Sequence, residues 1–218
     1  MRAPSADAGL TARANAILAG ELDLLGGARC RCGHPPEWNR DSRHNVSCPN
    51  SYAADIDYRD FRVVGDCKWV WEPARCHHWV VLGRAYRHSG RPEYARGVAE
   101  QWASWLDQCP YGYGMQWRSP LELGIRLINW AWAYALVEPA GVLDGALQRR
   151  IWTSVALHLD DIARKYSAES SANNHLVGEA AGYRGARVSG LPFTSERQVS
   201  GSGPAEATAT IAHRVLCE

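Results

Sequence analysis

The residues best suited to chemistry stand together late in the chain: Ser170-Ser171-Ala172-Asn173-Asn174-His175-Leu176-Val177-Gly178-Glu179-Ala180-Ala181. Two amides and an imidazole precede an Ala/Gly-rich helical run. Asn is a poor helix-interior residue and a good N-cap, because its short side chain competes for backbone hydrogen bonds. One reading is therefore structural: Asn173 or Asn174 caps the helix. The other is functional: amide and imidazole edges project together into a cleft and hold a polar ligand.

A second cluster is Asp66-Cys67-Lys68-Trp69-Val70-Trp71-Glu72-Pro73-Ala74-Arg75. At helical spacing Lys68, Glu72 and Arg75 share one face. They read either as a surface ion-pair ladder over core indoles or as a sugar-binding wall. In the wall, an indole stacks on the sugar, Glu72 takes hydroxyls and Arg75 takes a carboxylate or sulfate. Arg grips planar anions with two donors at once, which Lys cannot do. The glycine-punctuated loop Tyr111-Gly112-Tyr113-Gly114-Met115-Gln116-Trp117 presents flat aromatic faces or packs as a plain helix connection. Glu122 and Arg126, four apart on a helix, read as a structural salt bridge. His77 and His78 point roughly 100° apart on a helix and cannot ligate one metal from it. One of them packs inward and the other faces the cleft.

The composition narrows the function classes. Ten Trp and nine Tyr against two Phe favour amphipathic rings that stack on sugars, although Trp also fills helical cores. A net charge of +1 carries no field for nucleic acid. No window is apolar enough for membrane insertion. Seven Cys cannot all pair within the chain, and they include no CxxC. Cys30-Arg31-Cys32-Gly33-His34 is half a metal knuckle without its other half, so no metal and no cofactor is expected. No GxSxG, Walker A, HExxH or GxGxxG is present, which removes the warrant for serine hydrolase, NTPase, zincin or dinucleotide chemistry. The N-terminus lacks a signal-peptide core, so the chain reads as cytoplasmic or as starting downstream of its true start.

The elements that must position these residues are helices. Periodicity predicts one from about Ala6 to Leu25, then an irregular stretch over 28–66. Further helices are predicted from Asp66 to about His88, Glu93 to Gln108, Leu121 to Val137 and Leu143 to Tyr166, with another opening at Asn173-Asn174-His175. In the Leu121 helix, Leu121, Ile125, Ile128, Trp132 and Ala135 have core spacing. Strand alternation is nowhere convincing. The expected fold class is all-α, an array of antiparallel helical hairpins that closes partway into a ring. Residues 1–186 form the helical unit. Residues 187–218, rich in Gly, Ser, Thr and Pro, read as a divergent, disordered tail.

Taken in order, these stretches resemble the N-terminal portion of the heparinase II/III family of polysaccharide lyases, including its alginate-lyase-like members. The residues that carry the resemblance are Leu24-Leu25-Gly26, Trp38, Asp57-Tyr58-Arg59-Asp60, Gly65-Asp66-Cys67-Lys68 and Trp71-Glu72-Pro73-Ala74-Arg75. They continue with Trp105 through Pro110, Trp117-Arg118-Ser119-Pro120-Leu121-Glu122, Arg126-Leu127-Ile128-Asn129-Trp130 and Asn173-Asn174-His175-Leu176-Val177-Gly178-Glu179. The resemblance implies an incomplete α/α toroid, truncated here before the family's C-terminal β-sandwich. It implies β-elimination on a uronic-acid polysaccharide such as a glycosaminoglycan or alginate, an anionic partner, and a periplasmic or secreted setting.

Carried over residue by residue, Asn174 and His175 are the catalytic positions. Asn174 neutralises the uronate carboxylate, and His175 assists it or acts as base. Trp71, Glu72, Arg75, Trp117 and Asn173 line the cleft. The family's catalytic Tyr and a further His lie beyond this pair, and the tail to Glu218 no longer resembles the family. The expectation is therefore a lyase fragment that is weak or inactive alone. Two other readings stay open: a non-catalytic carbohydrate-binding α/α module, and a scaffold whose Trp are only core. A glycoside hydrolase would need carboxylates opposed across a cleft, with Glu72 and Glu122 as the candidates.

Overall fold

The computed structural model describes residues 6–165 together with Gly178 and Ala181. Ala6–Leu18 is the first helix, α1. It stops seven residues before the expected Leu25, because Glu21–Leu24 is a strand, β1, paired antiparallel with Ala28–Arg31, β2. Leu22 and Leu24 turn inward, while Glu21 and Asp23 face Arg29 and Arg31 across the hairpin. Four residues of alternation are too few to stand out beside a helix in sequence. A second small hairpin pairs Arg40–Asp41, β3, with Val46–Ser47, β4. The stretch 28–66 is therefore less irregular than its composition suggests.

Asp41 organises that stretch. It is fully buried, and its two oxygens accept from the backbone N–H of Arg43, His44 and Asp66 and bond the His44 ring. Burial alone would raise its carboxyl, but the His44 and Asp66 donors outweigh that and hold it below the usual carboxylate range. Asp41 thereby ties the loop to the start of a helix. Phe61–Val64, α2, and Cys67–Ala74, α3, are capped by Asp60 and Asp66.

The single helix expected from Asp66 to His88 is broken. After α3 the chain turns at Arg75 and Cys76, the latter left-handed at φ 61, and His77–Ser89 forms α4. The break leaves α3's last carbonyls without helical partners. Side chains fifty residues away take them: Arg126 Nε donates to Ala74 O at 2.8 Å and Asn129 Nδ2 to Arg75 O at 2.8 Å.

Pro92–Gln108 is α5, Pro120–Val137 α6 and Gly145–Arg164 α7, close to the expected bounds. Proline opens α5 and α6, where the missing N–H costs nothing. Asp144 caps α7 through Leu147 N at 2.8 Å. Helices α4/α5 and α6/α7 form antiparallel hairpins, and α4 packs closely on α6. A methyl at Gly83 would lie 2.7 Å from Leu136 Cβ, so only glycine permits that approach. The expected helical array forms, with the two small hairpins added before it.

The indoles fill its centre. Trp79, Trp102, Trp105 and Trp130 are buried, with ring centroids 5.0–5.9 Å apart. The core face of α6 is not the expected one. Leu123, Leu127, Trp130, Ala133 and Val137 point inward, whereas Trp132 is 62% exposed and Ala135 is exposed. Helix α6 carries two apolar stripes, and its neighbours select between them.

Two buried imidazoles make the fold sensitive to acid. Burial pushes His78 down to about 4, although Gln101 bonds its Nε2 at 2.7 Å. Burial, with Arg126 beside it, drives His158 down as well. Both therefore take up protons more readily when unfolded, at about pH 6.5. Their stabilisation is complete above that pH and is lost as pH falls toward the folded value. Denaturant unfolding should show declining stability from about pH 7 to about pH 4.5, with a shallower decline in His78→Gln. Equal slopes for the two proteins would contradict this role of His78.

Candidate functional site

One end of the helical array gathers the polar residues. The starts of α4 and α6, the end of α5 with the loop Cys109–Ser119, and the end of α7 all meet there. The first turn of α6 presents Glu122, which is 3% exposed at its side chain. Arg75 clamps it with two donors, Nε to Oε2 at 2.7 Å and Nη2 to Oε1 at 2.8 Å. Arg75 Nη1 also donates to Glu72 Oε2 at 2.7 Å. The hydrogen bond to Glu122 leads in raising Arg75 above the ordinary guanidinium range, against its partial burial.

This geometry revises three expectations. Glu122 bridges to Arg75 and not to Arg126. Arg75 is occupied by two carboxylates of its own chain, so the cluster is net negative and ill suited to seize an anion. Glu72 and Glu122 sit on the edges of one guanidinium instead of facing each other across a cleft, which removes the arrangement a glycoside hydrolase needs.

Arg126 turns inward and is fully buried. Besides Ala74 O, it donates to Gln116 O at 3.2 Å and Gln116 Oε1 at 3.1 Å. Its Nη1 meets His158 Nε2 at 3.1 Å, and its guanidinium lies 4.8 Å from the Trp105 ring centroid. His158 Nδ1 lies 2.6 Å from Ser154 O, which only a proton on Nδ1 satisfies, so Nε2 is left as acceptor for Arg126. Gln116 Nε2 in turn donates to Trp38 O at 2.5 Å and Val70 O at 3.2 Å. Arg126, Gln116 and His158 thus form one cross-bonded network.

The aromatic candidates divide. Trp71 is half-buried, donates to Met115 O at 2.9 Å and packs beside Tyr58. Trp117 is only 2% exposed; its ring lies among Trp105, Tyr111 and His158, and its N–H donates to Cys109 O. It is a core indole whose edge reaches the surface recesses, not an open platform. Beside that indole, the rings of Tyr52, Tyr111 and Tyr113 are exposed. Of the two adjacent histidines, His78 is buried while His77 is exposed and bonds Asn129 at 3.1 Å. Arg118 stands in the sequence only as a member of the Trp117–Glu122 stretch, with no role of its own; its placement over Tyr58 is a tertiary contact.

Asn173, Asn174 and His175 lie outside the described residues. Gly178, three residues further on, is described. A methyl there would lie 2.6 Å from Leu121 Cδ1, so its backbone passes against the first turn of α6.

Residues 40–193 match the heparinase II/III N-terminus family. The chain belongs to that family. Among solved structures, this heparinase II/III N-terminal chain is similar to a mutant of the heparan sulfate lyase HepC from Pedobacter heparinus. The two share 19% identity and a TM-score of 0.66, over 99% of this chain and 29% of the other. The likeness is one of fold, and the chain spans under a third of that relative. No curated protein matches the chain. The family match includes Arg75, Glu122, Arg126 and the Asn173–His175 segment.

The buried floor of this family member should tolerate little change. Arg126→Ala leaves several buried acceptors unpaired, and a loss of about 3 kcal/mol or more in denaturant unfolding is expected. Arg126→Lys keeps the charge but not the fork, and should still lose about 2 kcal/mol. A Lys variant as stable as the parent would show that the fork geometry is dispensable.

Proposed function

We propose that this chain is the toroid portion of a polysaccharide lyase that acts on uronic-acid polysaccharide by β-elimination. The observation that carries the reading is the family match over residues 40–193, which includes Asn173-Asn174-His175. The similarity to a lyase of heparan sulfate supports an anionic polysaccharide as substrate class.

The chemistry suits the residue types. A uronate C5–H ionises poorly while its carboxylate is charged. Amide donation from Asn174 to that carboxylate stabilises the enolate-like transition state. A base takes the C5 proton, the electron pair forms C4=C5, the C4–O bond breaks, and the leaving oxygen takes a proton. His175 assists Asn174 or serves as that base. Asn173, Trp71 and the edge of Trp117 are the proposed sugar contacts. Glu72 and Arg75 act by position: with Glu122 they brace the start of α6, against which Gly178 lies.

Calorimetry with a glucuronate oligosaccharide and its carboxyl-reduced form tests the reading, alongside ultraviolet detection of unsaturated product. The acidic ligand should bind and the reduced ligand should bind at least about tenfold more weakly, with Asn174→Ala erasing the difference. Equal binding of both ligands would remove the carboxylate clamp. Ready turnover by this chain would show that it holds every group the reaction needs. Binding without cleavage in any longer form of the protein would favour a carbohydrate-binding module, a reading that the exposed Tyr52, Tyr111 and Tyr113 also suit.

A further inference from the structure

A recess of about 150 Å³ opens at the same end of the array, between the Tyr52 turn, the α5–α6 loop and the last turn of α7. Tyr52, Tyr111, Arg118, Asp161 and Lys165 line it, together with Trp117 of the cleft proposed above. Its rings are held open to solvent: Tyr52 is 55% exposed, Tyr113 beside it 47% and Tyr111 40%. They do not hang on a loose loop. Ala53 N donates to Gly112 O at 2.8 Å and Gly114 N to Ser51 O at 2.9 Å, which brackets the antiparallel bridge of Tyr52 with Tyr113. The two rings meet edge to face, with centroids 6.3 Å apart. Exposed aromatic faces fixed in this way suit the apolar face of a sugar ring.

The polar side of the recess favours an acid. Lys165 Nζ pairs with Asp161 Oδ2 at 2.8 Å, and Tyr111 OH donates to Asp161 Oδ1 at 3.3 Å. Those charges cancel. Arg118 remains. Its Nε donates to Ile56 O at 3.4 Å and its guanidinium lies 4.9 Å from the Tyr58 centroid. Among the described residues no carboxylate lies within ion-pair reach of it. The contrast with Arg75, which two carboxylates occupy, is direct.

We propose that this recess is a binding subsite for an acidic pyranose, carboxylated or sulfated. Tyr52, backed edge-on by Tyr113, supports the ring, and Arg118 takes the anionic group. The inference rests on the polysaccharide reading above and adds to it a further contact for the chain of sugars.

The test uses the full chain and three probes: an unsulfated glucuronate oligosaccharide, its carboxyl-reduced form, and a sulfated oligosaccharide of equal length. Tyr52→Ala and Arg118→Gln should each weaken the acidic probes roughly tenfold without lowering the melting temperature. Arg118→Gln should leave the carboxyl-reduced probe unaffected, and Arg118→Lys should recover part of the loss. A larger loss for the sulfated probe assigns the seat to sulfate, and equal losses assign it to carboxylate. If both recess variants bind every probe as the parent does while Asn174→Ala is impaired, the subsite is refuted and the lyase reading survives. If the recess variants are impaired and Asn174→Ala is not, the subsite stands and the amide clamp falls. If the parent binds none of the probes, both are overturned.

Discussion

Arg126 carries a full charge to the centre of the helical array, where among the described residues no carboxylate is hydrogen-bonded to it. Water would solvate that charge well, so the protein must replace water with oriented dipoles. It does so with the terminal carbonyl of α3, both oxygens of Gln116, the free imidazole nitrogen of His158 and the face of Trp105. Each partner belongs to a different part of the chain. The end of α3, the turn before α6, and α7 are thereby pinned to one guanidinium. A carboxylate would have neutralised the charge with fewer partners. The absence of one among these contacts makes the side chain a junction instead of half of a pair.

The site inherits its geometry from that junction. Arg126 and Asn129 take the last carbonyls of α3, so the chain can turn at Arg75 and Cys76 and begin α4. The turn aims Arg75 at Glu122 and Glu72. Gln116, held by the same guanidinium, fixes the short turn that presents Trp117 to the core and Arg118 to the surface. Two arginines of equal chemistry thus receive opposite tasks. Arg75 neutralises its own chain, and Arg118 keeps its charge available.

Some of this is legible in the sequence. Helices α5, α6 and α7 stand close to their expected bounds, because proline, aspartate and glycine punctuate their ends by local rules. The ion pair of Glu72 with Arg75 follows from three-residue helical spacing. The misreadings have a common source. Glu122 was expected to bond Arg126 because the two are neighbours on one helix, but a partner 47 residues away holds it. The tryptophan excess was read partly as a sugar platform, yet most of the indoles fill the core, and the open aromatic faces belong chiefly to tyrosines. The break at Cys76 was invisible because its cause lies in α6.

What the sequence determined by itself was the helical class, the punctuation of the long helices and the ordered motif set that marks the heparinase II/III N-terminal family. These depend on residue periodicity and on local capping, which act within a few turns. Only the tertiary structure decided which stripe of α6 is core, which arginine is occupied and which rings stay open. Those outcomes turn on competition among partners distant in sequence, and a buried polar group accepts whichever arrangement satisfies all of its hydrogen bonds.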